Sequence, residues 1–182
     1  MATQAGDYVM VVPAESRKTS DHWDFDGKAV CIPLVSSAGH GKADIKRLHY
    51  QEGKFALANT MCALFVKDES IIHPRYLHIF LSAMRHELLV PLMCGATNVT
   101  MSSIQLADVM IPVPKKISLQ EEVIESNLIN TKAALMTSAA ADLRDLSSDK
   151  EVVQFAEKVI FDLEIFLKAA KKRIDISEFL PS

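Results

Sequence analysis

Little in this 182-residue sequence points to chemistry of its own. The three cysteines, Cys31, Cys62 and Cys94, stand far apart and form no Cys-x-x-Cys pair. Each sits in apolar sequence, the setting of a buried, reduced thiol, which argues against a disulfide framework and suits a cytoplasmic protein. The histidines offer no metal site: His73 and His78 are five apart, and His86-Glu87 lacks the second histidine of a zinc-binding helix. No Cys/His pair has ligand spacing either. A Gly-x-Ser-x-Gly elbow is missing, as is the Asn/Asp-Pro-Pro-Tyr/Phe signature of adenine methyl transfer, so no catalytic group is expected. No basic-then-apolar leader opens the sequence. The longest apolar run, Phe55 to Val66, is too short for a bilayer and contains Asn59 and Thr60, so no membrane attachment is expected.

Excess positive charge is lacking too. The net charge is −3, with 12 Lys/Arg against 11 Asp/Glu over residues 1–116 and 8 against 12 over 117–182. A chain that bound nucleic acid by bulk charge would be clearly basic. Any binding to a duplex must therefore use a local patch and a partner subunit. What is present is an ordinary globular balance, 49% apolar and 24% charged, in a chain long enough for one good-sized core or two small ones.

Along the chain, Tyr8 to Val12 reads as a strand closed by Pro13, and Ser16 to Asp26 as a polar loop. Residues 1–26 are thus an N-terminal extension or abbreviated first strands. Ala29 to Val35 is β-branched and apolar, a buried strand, followed by the Gly/Ser loop Ser36 to Gly41 and the charged stretch Lys42 to His49. Gly53 marks a turn, and Phe55 to Val66 supplies one or two strands. Pro74 is placed to open a helix running to Val90, with Leu77, Phe80, Leu81, Met84, Leu88 and Leu89 at helical spacing.

The stretch from Gly95 to Ile124 divides the chain. A polar loop, Gly95 to Asn98, leads through Thr100, Ser102 and Ser103 to strand-like Leu106 to Val113. Pro112 and Pro114 hold Ile111 and Val113 extended. Ser118 and Glu121 have capping-box spacing, which opens a helical region. A loose stripe, Ile124, Leu128, Leu135, Ala139 and Leu143, breaks at Leu146 to Asp149, where Ser147, Ser148 and Asp149 are competent N-caps. A second helix, Glu151 to Arg173, follows. Its residues Val152, Ala156, Val159, Leu163, Phe166 and Ala170 step by four and three, a packing seam that must be buried against another helix of this chain or of a second copy. Glu151 and Glu157 lie early in it and Lys171, Lys172 and Arg173 late, as the helix dipole favours. The break favours a helical hairpin. The fold class is α+β: a mixed β-sheet body over 27–116, then an antiparallel or coiled-coil-like helical arm over 117–182.

The order Gly95-x-Thr97, Ile111-Pro-Val-Pro114, then a helix with Gln120 and Val123, resembles the end of a target recognition domain running into a spacer helix. That domain belongs to the DNA-specificity (S) subunits of type I restriction–modification systems. Asp68 to Leu81, DESIIHPRYLHIFL, and Gly53-Lys-Phe-Ala56 with Asn59 are similar to further parts of that family, so the likeness covers Pro33 to Glu125. The resemblance implies a DNA-recognition subunit that contains no cofactor. It would position a separate methyltransferase subunit using S-adenosylmethionine, and beyond it a translocating nuclease subunit. The family carries two recognition domains in pseudo-twofold arrangement, so a chain with one is expected to homodimerise on a bipartite site in double-stranded DNA.

Two stretches are candidates for the DNA contact. Gly39-His-Gly41-Lys42 is no phosphate loop of the Walker type, since Ser36 and Ala43 stand where Gly and Ser/Thr are needed. It feeds Lys42, Lys46, Arg47 and His49, which read either as a solvated surface or as phosphate and base-edge contacts. Thr97, Asn98, Thr100, Ser102 and Ser103 read either as a polar turn before a capped element or as further contacts. The resemblance tilts both towards DNA. Tyr76 and Trp23 could stack on bases, though Tyr76 heads an amphipathic helix and reads better as core. The competing function, supported by the negative net charge, is a protein–protein interaction module built on a helical hairpin.

Overall fold

In the computed structural model, the backbone is described for residues 5–39 and 41–171, and side chains for these residues except 133, 163 and 165–171. The chain divides into two compact units, residues 1–120 and 121–182.

The first unit holds two sheets. β1 (Tyr8–Val11) pairs antiparallel with β2 (Lys18–Ser20) and parallel with β6 (Lys54–Leu57), which pairs antiparallel with β3 (Phe25–Asp26), in the order β2-β1-β6-β3. The second sheet has β4 (Ala29–Pro33) between β5 (His49–Gln51) and β7 (Met61–Phe65), all antiparallel. β2 and β3 fall within the stretch read from sequence as loop. Neither has an apolar pattern of its own; their ladder bonds come from β1 and β6, partners that local sequence does not reveal.

β4 organises the unit. Its five residues are buried, and because side chains alternate across a strand, Val30 and Ile32 enter one core while Ala29 and Cys31 enter the other. The larger core adds Ile45, Leu48, Leu77, Leu81, Leu89, Val99 and Met101; the smaller is Val11, Phe55 and Met61. Each large side chain fully buried in this way is worth about 1.5–3 kcal/mol. A strand feeding two cores is therefore the segment least tolerant of polar substitution.

The expected helix from Pro74 to Val90 is interrupted. α1 (Pro74–Ala83) starts on the His73 cap, whose Nδ1 accepts from Arg75 N, and ends at Met84, outside helical geometry. α2 (Arg85–Leu88) and a 3₁₀ turn, Val90–Leu92, complete the stretch. Tyr76 is buried and its hydroxyl donates to Pro112 O at 2.9 Å, so its place is in the body of the unit. Leu106 to Val113 is not a strand. α3 (Ser103–Leu106) stands at its start and the rest pairs with nothing in a ladder, which the two prolines discourage.

The long helix α4 (Ile117–Leu146) opens one residue before Ser118, so Ser118 lies inside the helix and does not cap it. Gln120 fastens this first turn instead. Fully buried, it accepts from His73 N at 2.7 Å and donates to Ile71 O at 2.8 Å and to Pro114 O at 3.4 Å. Beyond it, Leu128, Leu135 and Leu143 of the expected stripe are exposed.

In the second unit a short turn, in which Asp149 Oδ1 accepts from Glu151 N, leads to α5 (Lys150–Lys171). Ala140 and Ala156, equally far from Ser148, are both buried, and the charge of Glu157 acts on Arg144. One continuous helix would separate Arg144 and Glu157 by about 20 Å at ~1.5 Å per residue. The helices therefore fold back as an antiparallel hairpin, on which Ala140 and Ala156 are buried. Of the seam, Val152, Ala156 and Val159 lie on the covered side. The side chains of Leu163, Phe166 and Ala170 lie outside those described, as do Lys172 and Arg173 altogether.

Candidate functional site

The two candidate stretches, far apart in sequence, come together beside β4. After β4 the chain runs past Leu34, which accepts from Met101 N at 2.8 Å, and Ser36 N donates to Val99 O at 2.9 Å. Val35 and Thr100 form a β-bridge, and Cys94 and Thr100 exchange two backbone hydrogen bonds of 2.9 Å each, closing a tight loop over residues 95–99. The loop after β4 then leans on that one. Gly41, at φ +73°, lies where an added Cβ would come within 2.5 Å of Ala96 O. Gly95, at φ +132°, has the same relation to Asn98 O, at 2.2 Å. Glycine is required at both places because backbone meets backbone without room for a methyl group.

On either side of His40, the segments 36–39 and 41–46 are far from loose. Ser36 Oγ donates to Lys42 O at 2.6 Å and accepts from Ala38 N and Asp44 N, both at 3.1 Å. Ser37 Oγ accepts from Lys46 N at 3.1 Å and donates to the Asp44 carboxylate at 2.9 Å. From below, Arg85 Nε donates to Ile45 O at 2.9 Å and Nη1 to Ser82 O at 2.7 Å. Ile45 and Leu48 are buried, so the charged stretch is fixed every few residues by an inward apolar side chain. Lys42 and Lys46 point outward and have no ion-pair partner among the described residues. His40 lies outside the described residues.

Arg47 is half-buried and bound, its Nη1 2.8 Å from Glu15 Oε2. The guanidinium hydrogen bond holds the Glu15 carboxyl below its usual range, so the pair is ionised. Both line a cleft of about 210 Å³ with Lys46, Ser36, Ser37 and Pro13.

His49 does not belong to this surface. It is 6% exposed and lies at the start of β5, where Arg17 Nη1 donates to its Nδ1 at 2.6 Å. Nε2 must then carry the proton, and it is buried near the Val12 and Pro13 carbonyls without a well-formed hydrogen bond to either. Burial first, and the Arg17 charge second, push the ring down to about 4, so it is neutral near pH 7. A DNA contact needs an exposed ring, so His49 is corrected to a structural residue.

In the second stretch, Thr97, Asn98, Thr100, Ser102 and Ser103 are all exposed. Ser102 already has work: it caps α3, its Oγ accepting from Ile104 N at 3.2 Å while Gln105 Oε1 accepts from Ser102 N at 2.9 Å. That capping box was legible as Ser-x-x-Gln and outranks a free contact role for Ser102. Glu15, Ser36, Ser37 and Arg85 were missed. Only Ser36 and Ser37 stood in a flagged loop, and the other two act through partners distant in sequence. Among the described residues, no three His, Cys, Asp or Glu side chains gather as metal ligands would, and no helix is long and apolar enough to cross a membrane.

The family described as the type I restriction modification DNA specificity domain matches residues 3–136. No curated protein matches the chain. Among solved structures, the fold is similar to that of the type I restriction–modification system S subunit from M. genitalium, with a TM-score of 0.55 and 14% identity. The likeness covers 82% of this chain and 41% of that one, so the chain spans less than half of the S subunit's length.

Proposed function

The chain belongs to the type I restriction–modification DNA specificity domain family, and from that premise we propose that it is a sequence-recognition component that grips double-stranded DNA and presents it to a separate methyltransferase. The observation that supports this reading is the approach of Gly41 to Ala96, which brings the loop carrying Lys42 against the loop carrying exposed Thr97 and Asn98, with Lys46, Thr100 and Ser103 exposed further along the same two stretches. Lysines supply phosphate attraction, and small hydroxyl and amide groups on close-approaching backbone supply register. Ser36, Ser37 and Arg85 hold the lysines in place, so less ordering entropy is lost on binding.

The chain contributes recognition and no catalytic step. The methyl donor, S-adenosylmethionine, belongs to the partner methyltransferase, and a translocating nuclease subunit would complete the assembly in the cytoplasm. The helical arm is the route to a second copy. Phe155 and Phe161 of α5 and Leu135 of α4 are exposed, at 64%, 62% and 67%, more apolar surface than a hairpin alone would leave open. A homodimer would then read a bipartite, symmetric site.

Binding of a labelled mixed-sequence duplex, followed by anisotropy across a salt series, tests the reading. Phosphate contacts predict an affinity falling steeply with log salt. A chain that acts only as a protein-interaction module gives no change in anisotropy at any salt concentration.

A further inference from the structure

Of Lys42, Lys46 and Arg47, Arg47 is the one with an ion-pair partner among the described residues. Its partner Glu15 comes from the β1–β2 connection, an element outside both candidate stretches. The Glu15 side chain is 86% exposed, so the carboxylate is held by one ion pair and is free to turn towards a ligand. Arg47 is 35% exposed and lines the cleft. The cleft wall is stiff, since Pro13, Pro33 and the serine-stapled loop all line it. The pair is electrically neutral as a unit, whereas Lys46 beside it is not.

We propose that Glu15 is a specificity-determining residue, which withholds Arg47 from phosphates and, with it, reads a G·C base pair. The inference rests on the duplex-recognition reading given above. The chemistry of the pair matches one base pair. A guanidinium donates two parallel hydrogen bonds to guanine O6 and N7, and a carboxylate accepts from the cytosine N4 amino group beside them in the major groove. At an A·T pair the carboxylate could accept from adenine N6, but the guanidinium finds no O6/N7 pair of acceptors there, and on the phosphate backbone the carboxylate meets no donor at all. Arg47 then gains nothing by leaving it for a phosphate, and the Glu15 charge repels the backbone. Lys42 and Lys46 provide sequence-independent attraction, and the Glu15–Arg47 pair provides selection.

The test compares salt dependence on a mixed-sequence duplex for the full chain and its variants, with melting temperatures as a check on folding. Glu15→Gln frees one cation, so the slope of log K against log salt should steepen by about 0.9 and binding at low salt should tighten. Arg47→Ala should keep the wild-type slope, and the Glu15→Gln/Arg47→Ala double variant should lose the gain. Glu69→Gln, which removes an equal charge at the Lys28 pair outside the cleft, should leave the slope alone. Duplexes recovered from a randomised pool should show a G·C pair held at one position by the wild type and left degenerate by Glu15→Gln. An unchanged Glu15→Gln slope, an equal rise in Glu69→Gln, or a retained G·C preference would each overturn the proposal while leaving the wider reading standing. Failure of the wild-type chain to bind any duplex would instead remove the wider reading itself.

Discussion

Gly41 and Ala96 meet backbone to backbone, so closely that a methyl group on Gly41 would sit 2.5 Å from the Ala96 carbonyl oxygen. Through this contact, two loops that the chain makes far apart become one surface. Gly41→Ala should therefore act twice, by forcing alanine into left-handed backbone at φ +73° and by pushing the loops apart. The expected loss is about 2 kcal/mol of stability, read from a urea denaturation curve, with weaker duplex binding under conditions where the variant is still fully folded. Gly39, where an added Cβ meets nothing, is the control: Gly39→Ala should be close to neutral.

Gln120 carries the first turn of α4 on three hydrogen bonds in a fully buried site. Gln120→Met keeps the volume and leaves His73 N and Ile71 O without a partner. Each stranded buried group costs about 1–3 kcal/mol, so a loss of roughly 3 kcal/mol is expected in chemical denaturation. A variant as stable as wild type would mean that water replaces the amide.

His49 gives the first unit a pH dependence of known sign. Its folded-state pKa, near 4, lies below the ordinary value of 6.5, so only the unfolded chain takes up a proton between those limits. Stability should be level above pH 6.5 and fall as the pH drops towards 4, on the order of 2 kcal/mol in total. His78, also lowered by burial, adds in the same direction. Denaturation midpoints at pH 7 and pH 5, a window above the carboxylate range, check this. His49→Gln should shrink the difference.

Ala156, on α5, is 1% exposed. Ala156→Leu should overpack the hairpin, at a cost of about 1–3 kcal/mol, and lower the helical circular dichroism signal on heating. Ala139→Leu, on the exposed side of α4, should not. If both variants melt like wild type, Ala156 does not pack inside the hairpin.

How much of this was legible in the sequence depended on whether the cause was local. β4 could be read because five consecutive apolar residues admit little else, and α1 because Pro74 and the Leu77–Leu81 spacing agree. β2 and β3 could not, since Lys18–Ser20 and Phe25–Asp26 become strands only by pairing with β1 and β6. The candidate site divides in the same way. Lys42 and Lys46 stood out by charge and are exposed, with no ion-pair partner among the described residues. His49 was grouped with them by proximity in sequence, but β5 turns it inward onto Arg17. Glu15 could not be found beforehand, because nothing in one sequence says that the β1–β2 connection reaches Arg47. Ser102 was readable but misassigned: Ser-x-x-Gln signalled a helix start, which its hydroxyl serves.

If Lys42 and Lys46 on the joined loops are phosphate contacts to duplex DNA, the Lys42→Ala/Lys46→Ala variant must show it in its salt dependence. An unchanged melting temperature is expected, with a slope of log K against log salt shallower by about 1.8, two phosphates' worth. A double variant with the wild-type slope and affinity would contradict it.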